Sequence, residues 1–294
     1  MNAGAVRHLS KGNATRPWLE RRKPAWAEAV LNYVLQRQNR DGGYTFAQGA
    51  DSNAQDTYYG LAILKLLNAQ PPLVPQTANW LRSLPANDLY AHYYVSKALA
   101  LCGEPIHPNL AVTTLAFRRS DGSFGTVDVG VGAPSEFHST FMASEMLRML
   151  GLTDDADMTI GWLLGYRNGD GGFGANGCSN LRSTFHAVAS LHNLSYPVKS
   201  MRATIGYVRS CEQARGGFSV VPGSSMPYME DTYCGVLALD LMGGRCQYPE
   251  RTADRVYECF NSNGGFRRSV ELGISTFEDT YYALTILREV ENHG

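Results

Sequence analysis

The sequence predicts an all-α fold, a closed ring of about six helical hairpins, that is, an α/α toroid with inner and outer helix layers. Three observations predict it. A Gly-x-aromatic phrase, usually Gly-Gly-aromatic, recurs at Gly42, Gly122, Gly171, Gly216 and Gly264. An Asp/Ser-Thr-aromatic phrase follows each one about 15 residues later, as Asp56-Thr57-Tyr58, Ser139-Thr140-Phe141, Ser183-Thr184-Phe185, Asp231-Thr232-Tyr233 and Asp279-Thr280-Tyr281. The segments flanking these phrases differ: those before them are amphipathic, those after them apolar almost all round. Self-similarity at a fixed period is the signature of a repeat architecture.

The glycine starts are separated by 80, 49, 45 and 48 residues. The first step is nearly double, and a degenerate unit that keeps only Ala91-His92-Tyr93-Tyr94 fills it. Residues 1–24 fall outside the pattern and read as an N-terminal arm; residues 25–294 read as a single toroid domain. Each unit reads as helix, glycine-rich turn, helix. In the first, Trp26 to Gln38 places Ala27, Val30, Leu31, Val34 and Leu35 on one face at helical spacing. Asn39-Arg40-Asp41-Gly42-Gly43 stops that helix, because glycine supplies the positive φ of a helix end. Asp56 or Thr57 is the expected N-cap of the next helix. That helix, Tyr58 to Leu67, is apolar on all faces, as a helix buried on all sides must be. The later second helices, Tyr94–Leu101, Phe141–Leu150, Phe185–Leu194, Tyr233–Met242 and Tyr281–Val290, match it. First helices such as Met158–Tyr166 and Thr252–Phe260 are more amphipathic. An open solenoid needs polar capping repeats; the last unit here is among the most regular, which favours closure. Leucine-rich, TPR and HEAT repeats lack the long glycine-aromatic loop.

Composition excludes several classes. Lys+Arg (26) and Asp+Glu (27) balance over 294 residues to a formal charge of −1, so there is no nucleic-acid footprint. No apolar run reaches the roughly 18 residues of a membrane span, and the N-terminus lacks a signal-peptide profile. Six cysteines without CxxC spacing read as reduced thiols, and the expected location is cytoplasmic. No P-loop, dinucleotide fingerprint or Gly-x-Ser-x-Gly elbow is present.

The phrase Gln38-xxx-Gly42-x-Tyr44 resembles the Gln-xxx-Gly-x-Trp repeat of squalene and terpene cyclases. Arg118-xxx-Gly122-x-Phe124, Arg167-xxx-Gly171-x-Phe173 and Glu212-xxx-Gly216-x-Phe218 match it in part. The Asp-Thr-aromatic phrase resembles the inner-helix start of protein prenyltransferase β subunits. Both belong to the prenyltransferase/squalene-cyclase repeat superfamily, and the resemblance covers roughly residues 26–290. It implies a central cavity lined by inner-helix starts and an isoprenoid, or other long apolar, ligand.

Aligned on the Asp/Ser column, the units place Tyr58, Tyr93, Phe141, Phe185, Tyr233 and Tyr281 two positions later. These six aromatics pack between hairpins or face the cavity, where π faces hold a polyene or steady a carbocation. One position earlier stand Gln55, Tyr90, His138, Arg182, Glu230 and Glu278. As surface groups they are ordinary helix-start polar residues. As a site they form an acid constellation, Glu230, Asp231, Glu278 and Asp279, with His138 and Arg182 as polar partners. Two close carboxyls cannot both ionise cheaply, so one retains a proton, and a protonated acid over an aromatic cavity is what alkene protonation needs.

Class II terpene cyclases carry Asp-x-Asp-Asp before a Thr here. The equivalents are Tyr228-Met229-Glu230-Asp231-Thr232 and Thr276-Phe277-Glu278-Asp279-Thr280, which keep the last two acids, so the resemblance puts the proton donor at Glu230 or Glu278. The run Asp154-Asp155-Ala156-Asp157 precedes an outer helix and reads as capping. In prenyltransferase β subunits zinc is held by an Asp and a Cys two apart and a His one unit on. Those positions are Asp231, Tyr233 and Asp279, a poor zinc set; a displaced set would be Asp231, Cys234 and His186. The expectation is therefore no metal cofactor, with Mg²⁺ conceivable alongside a diphosphate substrate, and with an α-type partner subunit if the chain is a transferase. The basic residues that hold the diphosphate there are absent from the loop of residues 219–228; Arg267 and Arg268 are substitutes or solvated surface. His186 and His192 read as structural.

Overall fold

The structure is a computed structural model that describes residues 24–107, 109–125, 136–153 and 156–292. Apart from Pro24, the expected N-terminal arm lies outside these residues, as do Asp154 and Asp155. Twelve α-helices among the described residues form two layers. In chain order they are α1 (Pro24–Leu35), α2 (Ala54–Leu66), α3 (Val74–Ser83), α4 (Leu89–Leu101), α5 (Leu110–Ala116) and α6 (Glu136–Met149). Then follow α7 (Asp157–Gly165), α8 (Leu181–Asn193), α9 (Arg202–Ser210), α10 (Met229–Leu241), α11 (Pro249–Glu258) and α12 (Phe277–Asn292). Even-numbered helices pack side by side in sequence, and α12 closes back onto α2. Odd-numbered helices lie outside them. A two-residue antiparallel hairpin, β1 (Phe266–Arg267) with β2 (Ser275–Thr276), braces the last turn.

The glycine turn is the joint between units. Gly42, Gly122, Gly171, Gly216 and Gly264 all sit at φ near +90° (89° to 94°). A Cβ on any of them would strike backbone atoms of the next outer helix: Thr77, Met158, Ala203 and Arg251 in turn, and for Gly264 the Ala29 carbonyl oxygen at 2.3 Å. That last contact joins the end of the chain to α1, so the ring closes with the same geometry that links its other units. Tyr33 of α1 donates to the Ser275 carbonyl at 3.0 Å and meets Phe277 edge-on at 5.4 Å.

The threonine of each Asp/Ser-Thr-aromatic phrase holds its own turn. The amides of Tyr44, Phe124, Phe173, Phe218 and Phe266 donate to the hydroxyls of Thr57, Thr140, Thr184, Thr232 and Thr280 at 2.9 to 3.2 Å. Four of these hydroxyls donate in turn to the carbonyl four residues back. The turn aromatics themselves are buried in the core, each contributing ~1.5–3 kcal/mol.

The inner helices begin about one turn earlier than their apolar run suggests. Asn53, not Asp56 or Thr57, caps α2: its side chain accepts from the Asp56 amide at 2.8 Å and donates to the Asp56 carboxyl at 2.8 Å. Asp88 and Asn180 cap α4 and α8 by accepting from the Ala91 and Ser183 amides. The polar columns thus lie inside the first turn, where helical spacing separates positions that face the ring axis from those that do not. No described helix is long and apolar enough to cross a membrane.

Three substitutions check this joint. Gly264→Ala should cost more than ~2 kcal/mol, because a strained φ adds to a backbone clash. Gly103→Ala, at φ +81° with open space around it, should cost about 1 kcal/mol. Thr280→Val, isosteric but unable to accept from Phe266, should cost ~1–3 kcal/mol through an orphaned buried amide. Urea unfolding of the three variants reads all of these.

Candidate functional site

The inner-helix starts enclose a central chamber of about 120 Å³. Tyr58, Tyr93, His138, Phe141, Phe185, Tyr233, Tyr281, Glu230 and Glu278 line it, all of them singled out from the sequence. The next column along the inner helices, Tyr59, Tyr94, His186, Cys234 and Tyr282, lines it too, as do Lys97 and Glu145 one turn deeper. Sequence reasoning did not place these in the cavity wall; it named Cys234 and His186 only as members of a displaced metal set. On an inner helix two adjacent positions face the axis, and the second column was the available signal. His186, read from the sequence as structural, belongs to the chamber wall.

The tyrosines fill much of the lumen. Tyr58 meets Tyr59, Tyr93, Tyr94 and Tyr281 with ring centroids 5.1 to 6.4 Å apart, and Tyr233 lies 4.3 Å from Tyr282. Burial pushes all of these phenols well up, so they are neutral donors and acceptors at pH 7. On the other wall His138 stacks on His186 at 4.6 Å, nearly parallel, and Phe141 packs against both. Burial lowers His138 to about 4 and His186 well below the ordinary imidazole value, so both rings are neutral. His186 Nδ1 is buried without a hydrogen-bond partner among the described residues.

Charge is confined to two places. At the mouth, Arg182 ties two carboxyls together: its Nη1 lies 2.5 Å from Glu230 Oε2 and its Nε donates to Asp231 Oδ1 at 2.6 Å. Asp231 is fully buried, and its Oδ2 has no hydrogen-bond partner among the described residues. Burial raises the Glu230 carboxyl above its ordinary value; Arg182 opposes the shift and the Glu278 charge adds to it. Glu278 Oε1 accepts from the Tyr59 and Tyr282 hydroxyls, each at 2.9 Å. At the waist, Lys97 pairs with Glu145 at 3.0 Å and lies 5.4 and 5.3 Å from the Tyr58 and Tyr93 ring centroids; Tyr93 donates to the same Glu145.

Three site expectations are placed differently. Arg182 does not line the chamber; it anchors Glu230 and Asp231. Asp231 and Asp279 also lie outside the lining. Asp279 accepts from Thr276 Oγ1 at 2.8 Å as part of the α12 cap, and burial pushes its carboxyl up to about 6. Arg268, 4.2 Å above the Tyr228 ring, adds its charge near both Glu230 and Asp279.

The positions that hold zinc in transferase β subunits do not fit that ion here. Asp231 is engaged by Arg182, Tyr233 is a buried neutral phenol against Tyr282, and Asp279 is engaged in its cap. Among the described residues no three His, Cys, Asp or Glu side chains converge as a metal site, the displaced set Asp231, Cys234 and His186 included. What the chamber offers is a desolvated acid above neutral π faces.

Comparison with known proteins agrees with this architecture. The model of the prenyltransferase alpha-alpha toroid domain matches residues 6–87, 74–253 and 245–293. The chain is 26% identical over 245 residues to the protein farnesyltransferase subunit beta of Arabidopsis thaliana, covering 80% of this chain. It spans about half (50%) of that relative's length. Candida albicans protein geranylgeranyltransferase-I, solved in complex with GGPP, superposes with a TM-score of 0.72 at 18% identity, covering 90% of this chain and 92% of that one. The type II terpene cyclase MstE from Scytonema, in complex with geranylgeranyl dihydroxybenzoate, superposes with a TM-score of 0.61 at 11% identity, covering 94% and 97%. At these identities the superpositions show the fold. The ring of hairpins, the turn phrase and the matched family model together lead to one statement: the chain belongs to the prenyltransferase alpha-alpha toroid domain family.

Proposed function

We propose that the chain is an isoprenoid-handling enzyme that starts cyclisation of a polyprenyl chain by protonating an alkene, with Glu230 as the acid. The observation that carries this reading is the placement of Glu230, desolvated and facing the Glu278 charge, at the rim of an aromatic chamber. The Glu230 carboxyl gives its proton to a terminal double bond. The electron pair of that bond forms the new C–H bond, and the resulting tertiary cation is met by the next double bond. Tyr58, Tyr93, Phe141, Phe185, Tyr233 and Tyr281 steady the positive charge through their π faces. Asp231 and Arg182 hold Glu230 in place, and Glu278 is itself held by the Tyr59 and Tyr282 hydroxyls. Neutral His138 and His186 are available to take up the proton lost at the end.

The chamber volume of about 120 Å³ is below the roughly 300–1,000 Å³ of ordinary ligand pockets. Substrate entry therefore requires the tyrosine rings to turn, a side-chain rearrangement common on binding. A second reading, a transferase β-type subunit acting with an α-type partner, is favoured by the farnesyltransferase relative and by the higher TM-score of the geranylgeranyltransferase. The poor zinc donor set and the commitment of Arg182 to two carboxyls weigh against it.

Incubation with farnesyl and geranylgeranyl substrates in the presence of a chelator, followed by product analysis, tests the first reading. Glu230→Gln should lower turnover by at least ~10²-fold, the scale of general acid catalysis. Glu278→Gln, which removes the charge that raises Glu230, should lower turnover less and shift its pH profile to lower pH. Product formation only with an added α-type subunit and zinc would establish the transferase reading instead.

A pH series distinguishes the role of Asp279. Its carboxyl stands near 6 in the folded chain and near 3.8 when free. The folded state holds that proton more tightly, so the stability this provides is present below about pH 4 and lost as pH rises through about 6. Asp279→Asn removes the term. The wild-type melting temperature, relative to that of the variant, should therefore fall between these limits and stay level above them.

A further inference from the structure

The lumen has a second compartment. Beyond the waist, at the ends of the inner helices away from Glu230, lies a pocket of about 340 Å³, within the ordinary range for small-molecule sites. Tyr58, Lys97 and Tyr281 line both spaces and form the partition between them. The second pocket is of mixed character, and its apolar lining is Ala62, Leu66, Ala100, Leu101 and Met149. Its charged lining groups are Lys65, Lys97 and Arg288, and no carboxylate lines it.

Cations at helix C-termini are ordinary complements of the helix dipole, and Lys65, in the last turn of α2, fits that account. Neither of the others does. The last turns of α4 and α12 contain no basic residue, so Lys97 and Arg288 project into the pocket from helix interiors. Lys97 is committed to Glu145, and Arg288 binds its neighbour Glu289 at 2.6 Å. Lys65 is exposed and makes no ion pair among the described residues. The pocket thus combines a strip of apolar side chains with a positive charge at its rim that is unpaired among the described residues.

We propose that this pocket is a binding site for an anionic amphiphile, a single apolar chain ending in a carboxylate or phosphate. The head group lies on Lys65 and Arg288; the chain lies along Leu66, Leu101 and Met149 and ends at the Tyr58–Tyr281 partition. The site is separate from the acid chamber and does not depend on the reaction proposed there.

Fluorescence titration with a medium-chain fatty acid probe, its neutral alcohol and farnesyl monophosphate tests the assignment. Binding of either anion roughly tenfold tighter than the alcohol is expected, the scale of one charge-assisted contact. Comparison of the two anions identifies the preferred head group. Lys65→Glu and the pair Lys65→Ala with Arg288→Gln should each weaken anion binding roughly tenfold; both sites are at the surface, and circular dichroism checks that they fold. Glu230→Gln should leave the affinity within about twofold. Equal affinity for the alcohol, insensitivity to the Lys65 and Arg288 changes, or an affinity changed by more than about twofold in either direction in Glu230→Gln would each overturn the assignment, the last by locating the probe in the acid chamber.

Discussion

Everything in this ring depends on one close approach: a glycine without a Cβ lies against the backbone of the next outer helix. A side chain there would push adjacent hairpins apart, and five small displacements would add up around a circle. The left-handed φ near +90° serves the same end, because it turns the chain back toward the inner layer without lengthening the loop. Since Gly264 meets Ala29 as Gly42 meets Thr77, closure requires no special interface. The threonine hydroxyls complete the joint by accepting the amide of the buried turn aromatic, a group that would otherwise be orphaned in the core.

The same geometry makes the site. By starting each inner helix under its own glycine turn, the fold brings the residues just inside that start to a shared axis. Residues separated by nearly 220 positions, such as Tyr59 and Glu278, become hydrogen-bond partners. Desolvation then acts on whatever stands there. It neutralises the two stacked histidines, raises the phenols and lifts the Glu230 carboxyl, while Arg182 and two tyrosine hydroxyls keep the acid cluster from becoming a set of unpaired buried charges.

Much of this was legible in the sequence, and the parts that were not have physical reasons. The repeat gave ring, layers and the first lining column, because glycine turns and apolar helices are local signals. Helix starts were read one turn late: Asn53, Asp88 and Asn180 are caps separated from the apolar run by polar residues that belong to the helix. The second lining column was missed because the width of the axial face depends on how tightly the inner helices pack, which pattern alone does not encode. His186 looked structural for want of a sequence partner; its partner, His138, comes from the neighbouring unit. Asp231 and Asp279 carry the acid motif yet serve the frame, one anchoring Arg182 and the other capping α12, while the glutamates beside them face the chamber. The Lys97–Glu145 pair is an i, i+4 extension of the aromatic column on two different helices, and only the ring brings them together.

The central claim is that the chamber receives an isoprenoid chain with its reacting end beneath Glu230. A crystal structure with a non-hydrolysable geranylgeranyl diphosphate analogue tests it most directly. The account predicts the terminal isoprene unit among Tyr58, Phe141, Phe185 and Tyr233, with displaced tyrosine rings and the Glu230 carboxyl against the last double bond. An analogue bound elsewhere, with the tyrosine cluster unmoved and the chamber still closed, would contradict it.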